Sequence, residues 1–281
     1  MAPSSSTATP PMAHKVLVFG ATGATGKHVV RKLLDRGDTT VVAVARSKEK
    51  MVGLLKKDAD KEEDETNENL VVEELALTDL SPKNFDELTE GCSAVVSCLG
   101  HNPSFQGMFR SGYFVSDAAK SLTKSIASGY DKKKGKKCRL VWMGSDGVVH
   151  PDGTTDPRRS AFERGLIGLF RWLLPPVSDN EMAAEHLYQN AKKEDGDETV
   201  DWCVVRPGDL FDADTDEGDN RYETFDHTHG SLFGGDTCVA RIDVADFMAD
   251  LATMESATYG KTYNHKMPVI YKTGSKPAEA K

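Results

Sequence analysis

The stretch VLVFGATGATGKHVV, residues 16–30, constrains the fold more than any other part of the sequence. Four apolar residues lead into Gly20, Gly23 and Gly26, and the pattern of an amphipathic helix follows. The first glycine permits a tight turn, the second lets the backbone approach a phosphate, and the third lets the helix pack closely on the strand. Free amides at the helix start then face the negative charge. The stretch predicts a strand, turn and helix that bind the pyrophosphate of a dinucleotide at 21–26, with an ordinary glycine-rich turn as the alternative.

Short apolar runs alternate with helical patterns along most of the chain. This alternation is typical of the α/β class and predicts a Rossmann-like, doubly wound parallel sheet of about six or seven strands. The first strand is expected inside the sheet, not at its edge. The strand patterns lie at 15–20, 39–46, 69–77, 93–100, 138–147 and 200–210.

One domain accounts for this organisation. We expect a single NAD(P)-binding domain over 14–271, in which 211–271 forms a small C-terminal elaboration on the substrate side. Residues 1–13 are rich in Ser, Thr and Pro and predict a disordered tail, and 272–281 form a second tail.

Composition excludes several classes of function. The chain carries 35 Lys and Arg against 44 Asp and Glu, a net charge of −9, so it lacks the basic surface that nucleic acid or an anionic membrane requires. It also lacks an apolar run of about 18 residues. The five cysteines are widely spaced without a C-x-x-C pair, which favours reduced thiols, a cytoplasmic location and no metal site. The expected partner is a small-molecule substrate, and the expected state is a monomer or a homodimer.

The end of the second predicted strand indicates which dinucleotide binds. An NAD site places an Asp or Glu there, which accepts hydrogen bonds from the ribose hydroxyls. This sequence instead has Arg46, with Lys48 two residues later. A cation suits a 2′-phosphate, so the prediction is NADP(H) with the phosphate on Arg46, although a surface Arg after a strand is common.

Five motifs together resemble a known family. GATGATG at 20–26 is specific, and AVVSCLG, VWMGSDG, VVRPGDL and ARIDVADFMADL follow it in the family's order. The chain resembles the atypical branch of the short-chain dehydrogenase/reductase superfamily over about 15–271. Its closest likeness is to the NAD(P)H-binding proteins grouped with NmrA-like regulators and with flavin and biliverdin reductases.

The resemblance implies roles for individual residues along the strand ends. Ser145 matches the serine that follows the fifth strand in these reductases. The implied cofactor-binding residues are Thr22, Ala24 and Thr25 beside the three glycines, Leu77 near the adenine, Cys98, Leu99 and Gly100 beside the nicotinamide ribose, and Arg206 and Pro207 in the loop against the nicotinamide.

The chain departs from the family at its proton donors. Short-chain dehydrogenases use a Tyr-x-x-x-Lys pair near the start of the helix after strand five. Here only Tyr188, followed by Lys192, has that spacing, and it lies late in the helix, so we expect it on the surface or in the core. Reductases of the biliverdin type also carry a His where this chain has Gly208.

The helix start SDNE, residues 178–181, allows two interpretations. Ser178 and Glu181 have the spacing of a capping box, and Asp179 suits the first turn of a helix, so capping explains three of the four residues. Capping does not explain Asn180. The resemblance places this helix start opposite the nicotinamide, so Asp179 and Asn180 are also candidates for chemistry or substrate contact.

Other polar groups are weaker candidates. His101 and Asn102 follow the fourth strand, where ligands of α/β proteins bind, but a loop-capping role fits equally well. Asp146 and His150 lie near Ser145 and have the chemistry to supply a proton, but the stretch 146–157 is equally typical of a plain polar loop.

These observations predict an oxidoreductase that passes hydride from NADPH to a small carbonyl, quinone or flavin-like acceptor. Ser145 is expected to hydrogen-bond the substrate oxygen, while Asn180 and Asp179 orient it. The alternative is a non-enzymatic NADP(H) sensor of the NmrA type, which the missing Tyr and Lys favour.

Overall fold

The computed structural model describes residues 14–57, 67–100, 113–129, 137–152, 160–173, 175–190, 200–213, 221–228 and 237–275. Within these ranges the strands are β1 His14–Phe19, β2 Thr39–Ala45, β3 Leu70–Glu74, β4 Ala94–Ser97, β5 Arg139–Met143, β6 Asp201–Pro207, β7 Asp209–Phe211, β8 Tyr222–Phe225, β9 Cys238–Ala240 and β10 Val269–Lys272. The helices are α1 Gly26–Asp35, α2 Lys48–Lys57, α3 Pro82–Thr89, α4 Phe114–Gly129, α5 Ala161–Leu173, α6 Pro175–Asn190, α7 Arg241–Thr253 and α8 Ser256–Thr262, with a 3-10 turn at Leu77–Asp79.

Over the described ranges, the central sheet has eight strands in the order β3-β2-β1-β4-β5-β6-β10-β8. All neighbours pair in parallel except β8, which runs antiparallel to β10 at one edge. The predicted Rossmann-like fold is therefore confirmed, and β1 lies inside the sheet as expected. The strand count exceeds the predicted six or seven because the segment 211–271 adds β8 and β10 to the sheet, while β7 and β9 form a separate parallel pair.

Alternation along the strands builds two apolar layers. In β1, Val16 and Val18 face the side covered by α1 and α7, and Leu17 and Phe19 face the side covered by α3, α4 and α6. All four side chains are buried, as expected for a parallel strand with helices on both faces. The side covered by α4 and α6 also holds Trp142 of β5.

The parallel register brings the carboxyl ends of β1, β4, β5, β6 and β10 to one edge, where α/β proteins bind ligands. All five cysteines are free thiols. Among the described residues, no helix is both long enough and apolar enough to cross a membrane.

Candidate nucleotide and substrate site

The turn after β1 requires its glycines for steric reasons. Gly20 has a φ of +71°, and a Cβ there would lie 2.6 Å from the carbonyl oxygen of Cys98 in the neighbouring strand end. A Cβ at Gly26 would overlap the carbonyl oxygen of Gly20, and one at Gly23 would lie 3.0 Å from the same oxygen. The amide of Gly23 closes the turn by donating to that oxygen at 2.8 Å. The backbone of this turn therefore approaches its neighbours too closely to leave room for a side chain at Gly20 or Gly26.

The start of α1 is suited to an anion. Thr25 precedes the helix without a side-chain cap, and the first turn contains no acidic residue. Lys27 donates its amide to Gly23 at 3.1 Å and His28 to Thr25 at 3.0 Å, so the positive end of the helix dipole, and not these two amides, favours an anion here. Gly23 and Ala24 are exposed, Thr22 is half-buried and Thr25 is buried. The backbone and the space left by the missing side chains fit a pyrophosphate.

The end of β2 supplies the cation predicted for the 2′-phosphate, because the Arg46 side chain is exposed directly after the strand. Ser47 caps α2 by accepting from the Lys50 amide at 3.1 Å, and its hydroxyl donates to Glu49. This hydrogen bond holds the pKa of Glu49 below its usual value. Glu74 at the end of β3 accepts from the Lys48 amide at 2.8 Å. Both nearby carboxylates therefore have donors within the protein.

The end of β4 lies against the glycine turn. Cys98 donates its amide to Phe19 at 3.0 Å, and its carbonyl oxygen faces Gly20. Burial raises the pKa of the Cys98 thiol to about 12, so the thiol is neutral at physiological pH. Leu99 is half-buried and Gly100 is exposed. Leu77, predicted to lie near the adenine, is half-buried in the 3-10 turn after β3.

Ser145 lies in a tight loop at the end of β5. Its oxygen accepts from the Gly147 amide at 3.1 Å, so the O–H group points its donor elsewhere. The Gly144 amide donates to Val205, and the Asp146 amide donates to Pro207. These two bonds fix the loop to the end of β6, and Ser145 remains half-buried at the edge of the sheet.

Arg206 is a structural clamp that sequence reasoning missed. Its side chain is completely buried, and the guanidinium donates to the carbonyl oxygens of Met267 at 2.8 Å, Val148 at 3.1 Å and Asp226 at 3.1 Å. It thus joins the loop after β5, the residues before β10 and the residues after β8. The predicted contacts of Arg206 and Pro207 with the nicotinamide stay predictions.

Gly208 is another position at which neighbouring groups lie very close to the backbone. A Cβ there would overlap the carbonyl oxygen of Thr237 and would lie 2.8 Å from the ring of Tyr271. The position at which biliverdin-type reductases carry a His is therefore filled by neighbours. Tyr271 was not a candidate from the sequence, and an isolated tyrosine in a short apolar run gives no signal that would have identified it.

The helix expected to open with a capping box begins earlier, so that interpretation is wrong. Helix α6 begins at Pro175, a residue suited to the first helical position because it has no amide hydrogen to satisfy. Ser178 therefore lies inside the helix. Asp179 instead caps a different helix: its buried carboxylate accepts from the amides of Val115 at 3.0 Å and Ser116 at 2.8 Å, at the start of α4.

Ser178, Asn180 and Glu181 are half-buried. The predicted roles of Asn180 and Asp179 in orienting a substrate stay predictions. Tyr188 lies two turns further along α6, half-buried against His150, whose Nδ1 lies 2.8 Å from Asp152. The candidates His101 and Asn102 lie outside the described residues.

The chain is similar to known nucleotide-binding proteins. A family model described as NAD(P)H-binding matches residues 20–255. Similar solved structures include a Rossmann-fold NAD(P)-binding family protein from Shigella flexneri, with a TM-score of 0.58 at 16% identity, covering 95% of this chain and 98% of that one. A short-chain dehydrogenase/reductase from Veillonella parvula in complex with NADP has a TM-score of 0.57 at 15% identity, covering 94% and 99%. ChuY, an anaerobillin reductase from Escherichia coli O157:H7, has a TM-score of 0.57 at 18% identity, covering 94% and 100%. None of the curated proteins matches the chain. At these identities the solved structures show a shared fold.

Proposed function

The chain belongs to the NAD(P)H-binding family, and on that premise we propose that it is an oxidoreductase that reduces a small carbonyl, quinone or flavin-like acceptor with NADPH. The observation that carries the proposal is the turn after β1, where neighbouring backbone excludes a Cβ at Gly20 and Gly26 and leaves the start of α1 open to a pyrophosphate. The glycines hold the backbone in the conformation that this binding needs.

The preference for NADP(H) over NAD(H) rests on the end of β2. Arg46 is exposed there, where an NAD-specific protein would carry a carboxylate, and Lys48 is exposed beside it. The nearest carboxylates, Glu49 and Glu74, are hydrogen-bonded to Ser47 and to the Lys48 amide. A phosphate at this point would meet the guanidinium of Arg46 directly.

The role of the protein in the reaction is to hold the acceptor. NADPH supplies the hydride, so orientation of the acceptor accounts for much of the rate enhancement. Ser145 has an O–H donor left after its oxygen accepts from Gly147, and it lies at the carboxyl edge of the sheet. We assign it the hydrogen bond to the acceptor oxygen. Asn180, half-buried near the start of α6, is assigned to orient the acceptor through its amide.

A non-enzymatic NADP(H) sensor of the NmrA type is the second candidate. It is favoured by the bonds of Asp179 and Arg206, two polar residues near the expected substrate side, to backbone groups. A sensor needs the nucleotide site and no acceptor site. The two functions therefore differ in one observable, the transfer of hydride to a second molecule.

The deciding experiment uses NADPH deuterated at the transferred position of the nicotinamide, with a panel of carbonyl, quinone and flavin acceptors. We expect deuterium in a reduced product, and we expect Ser145→Ala to lower turnover about ten- to a hundredfold while nucleotide affinity stays nearly unchanged. Ser93→Ala is the matched control, because Ser93 donates to Lys15 at the opposite edge of the sheet. Tight nucleotide binding without deuterium in any product would favour the sensor. Full activity of both Ser145→Ala and Asn180→Ala would remove these residues from the substrate site.

A further inference from the structure

Two polar side chains, those of Asp146 and Tyr271, form a pair beside Ser145 at the carboxyl edge of the sheet. The hydroxyl of Tyr271 donates to Oδ2 of Asp146 at 3.3 Å, across 125 positions of the sequence. Tyr271 is completely buried, whereas Asp146 is half-buried. The two side chains thus differ in access to the edge, and Asp146 is the member of the pair that can meet a substrate or water.

The fold fixes both partners. The Asp146 amide donates to Pro207 at the end of β6, and β10 pairs in parallel with β6, so the carboxyl end of β10 lies beside the same strand end. The absence of a side chain at Gly208 leaves room for the Tyr271 ring, which also packs on Phe225 with centroids 6.1 Å apart. Tyr271 therefore has little freedom to turn its hydroxyl away from Asp146.

Tyr271 also lies on the same face of the sheet as α4 and α6. In β6, Val204 packs in the apolar layer of those helices, and Arg206 is two residues further on. Val269 pairs with Arg206, and Tyr271 is two residues beyond Val269. Because side chains alternate between the two faces along a strand, Arg206, Val269 and Tyr271 lie on one face. The hydroxyl of Tyr271 thus approaches Asp146 from the side on which α6 packs.

We propose, resting on the reductase function above, that Asp146 is a catalytic residue that exchanges a proton with the substrate oxygen and that Tyr271 is its positioning residue. For a carbonyl acceptor, hydride from NADPH bonds to the carbon, the C=O π pair moves to the oxygen, and the oxygen takes the proton of the Asp146 carboxyl group. The resulting carboxylate keeps the hydrogen bond from Tyr271. Solvent water then returns a proton to Asp146. Alcohol oxidation runs through the same steps in reverse, with the carboxylate accepting the hydroxyl proton.

At 3.3 Å, the hydrogen bond from Tyr271 to Asp146 is longer than usual. O–H···O bonds have a typical length of about 2.7–2.8 Å, and catalytic hydrogen bonds commonly shorten only when the substrate is in place. Ser145, one residue before Asp146, would hold the same oxygen by donating a hydrogen bond. Adjacent residues of one rigid loop would thereby supply both the hydrogen bond and the proton.

The kinetic test uses Asp146→Asn and Tyr271→Phe with a carbonyl acceptor that the wild-type protein reduces. We expect Asp146→Asn to lower kcat by about 10²–10⁴-fold in both directions of the reaction, as loss of a general acid and base does. Tyr271→Phe should lower kcat by about tenfold with little change in KM, because the carboxyl group stays but loses one hydrogen bond. The controls are Asp212→Asn, whose carboxylate is exposed and pairs with Arg241, and Tyr222→Phe on the other face of the sheet.

A second readout needs no turnover. The infrared difference spectrum of wild type minus Asp146→Asn isolates the Asp146 carboxyl bands, and these bands should shift in the Tyr271→Phe background but not in Tyr222→Phe. NADP⁺ should bind every variant with wild-type affinity, which also verifies folding. If Asp146→Asn does not bind NADP⁺, Asp146→Glu replaces it in both measurements.

The outcomes separate this inference from the function on which it rests. Full turnover of Asp146→Asn, or carboxyl bands unchanged by Tyr271→Phe, would overturn the inference and leave the reductase function standing. A wild-type protein that binds NADPH but reduces no acceptor would overturn both. Loss of turnover in Asp146→Asn together with a band shift in Tyr271→Phe would support the pair.

Discussion

Replacing Asp179 with Asn separates the capping role of this residue from a catalytic one. The carboxylate accepts two backbone amides, from Val115 at 3.0 Å and Ser116 at 2.8 Å, and it is completely buried at the start of α4. Asparagine has nearly the same shape but only one acceptor oxygen. Its NH₂ group would face an amide that also donates, so one helix amide would lose its partner.

The magnitude follows from these contacts. A hydrogen bond to a charged group contributes about 1.5–3 kcal/mol, and a negative charge at a helix start contributes a further 0.3–1 kcal/mol, rising to about 2 in partly buried sites. Asp179→Asn should therefore lower the free energy of unfolding by about 2–4 kcal/mol. Typical domains have about 5–15 kcal/mol of stability, so the variant should still fold.

The assay is urea unfolding of the wild type, Asp179→Asn and Asp117→Asn. Asp117 is the matched control because it lies in the first turn of α4 but is exposed and pairs with Lys120. Its replacement should cost about 0.5 kcal/mol or less. Hydrogen exchange should also become faster at Val115 and Ser116 in Asp179→Asn. If Asp179→Asn unfolds at the wild-type urea concentration but loses turnover, the capping role is refuted and a catalytic one is supported.

Three further predictions test other parts of the structure. Gly26→Ala should lower nucleotide affinity at least about tenfold, because its Cβ would overlap the Gly20 carbonyl and displace the start of α1; calorimetric titration with NADP⁺ measures this, and unchanged affinity would contradict the steric argument. Arg206→Met should lower the free energy of unfolding by about 2–4 kcal/mol, since it removes the donors of three carbonyls, and urea unfolding equal to wild type would exclude the clamp. Burial raises the pKa of Cys92 to about 11 and of Cys98 to about 12, so the folded protein keeps protons that the unfolded chain loses above pH 9. The stabilising contribution of these two neutral thiols should therefore be present in full below pH 9. Above pH 9 the free energy of unfolding should fall by about 1.4 kcal/mol per pH unit for each thiol, until the pH reaches the pKa of that thiol in the folded protein, and Cys98→Ala should make this fall less steep.

The parts of the fold that were predicted correctly depend on local patterns. The strand β1, the turn at Gly20–Gly26 and the helix α1 are encoded within about twenty consecutive residues, where apolar run, glycine spacing and helical periodicity agree. The alternation of strand and helix patterns along the chain likewise predicted a parallel sheet. The strand β10 was not predicted as part of that sheet, because a run of four residues carries little information about its neighbours.

The parts of the site that were missed depend on contacts between distant positions. Asp179 has the sequence context of a local cap, but its partners lie 63 and 64 residues away. The acceptors of Arg206 lie 20 to 61 positions away, and Tyr271 meets Asp146 across 125 positions. A single sequence specifies the donor and acceptor types but not which of them meet, since that depends on the order of strands in the sheet.

The most direct test of the proposed cofactor specificity is a comparison of NADPH and NADH binding to the wild type and to Arg46→Asp, by titration of nucleotide fluorescence. One charge-assisted hydrogen bond to the 2′-phosphate contributes about 1.5–3 kcal/mol, so the wild type should bind NADPH roughly ten- to a hundredfold more tightly than NADH. Arg46→Asp should remove that preference, whereas Lys50→Asp, with the same change of charge in the exposed first turn of α2, should retain most of it. Equal or tighter binding of NADH by the wild type, or an undiminished preference for NADPH in Arg46→Asp, would contradict the proposal that Arg46 selects NADP(H).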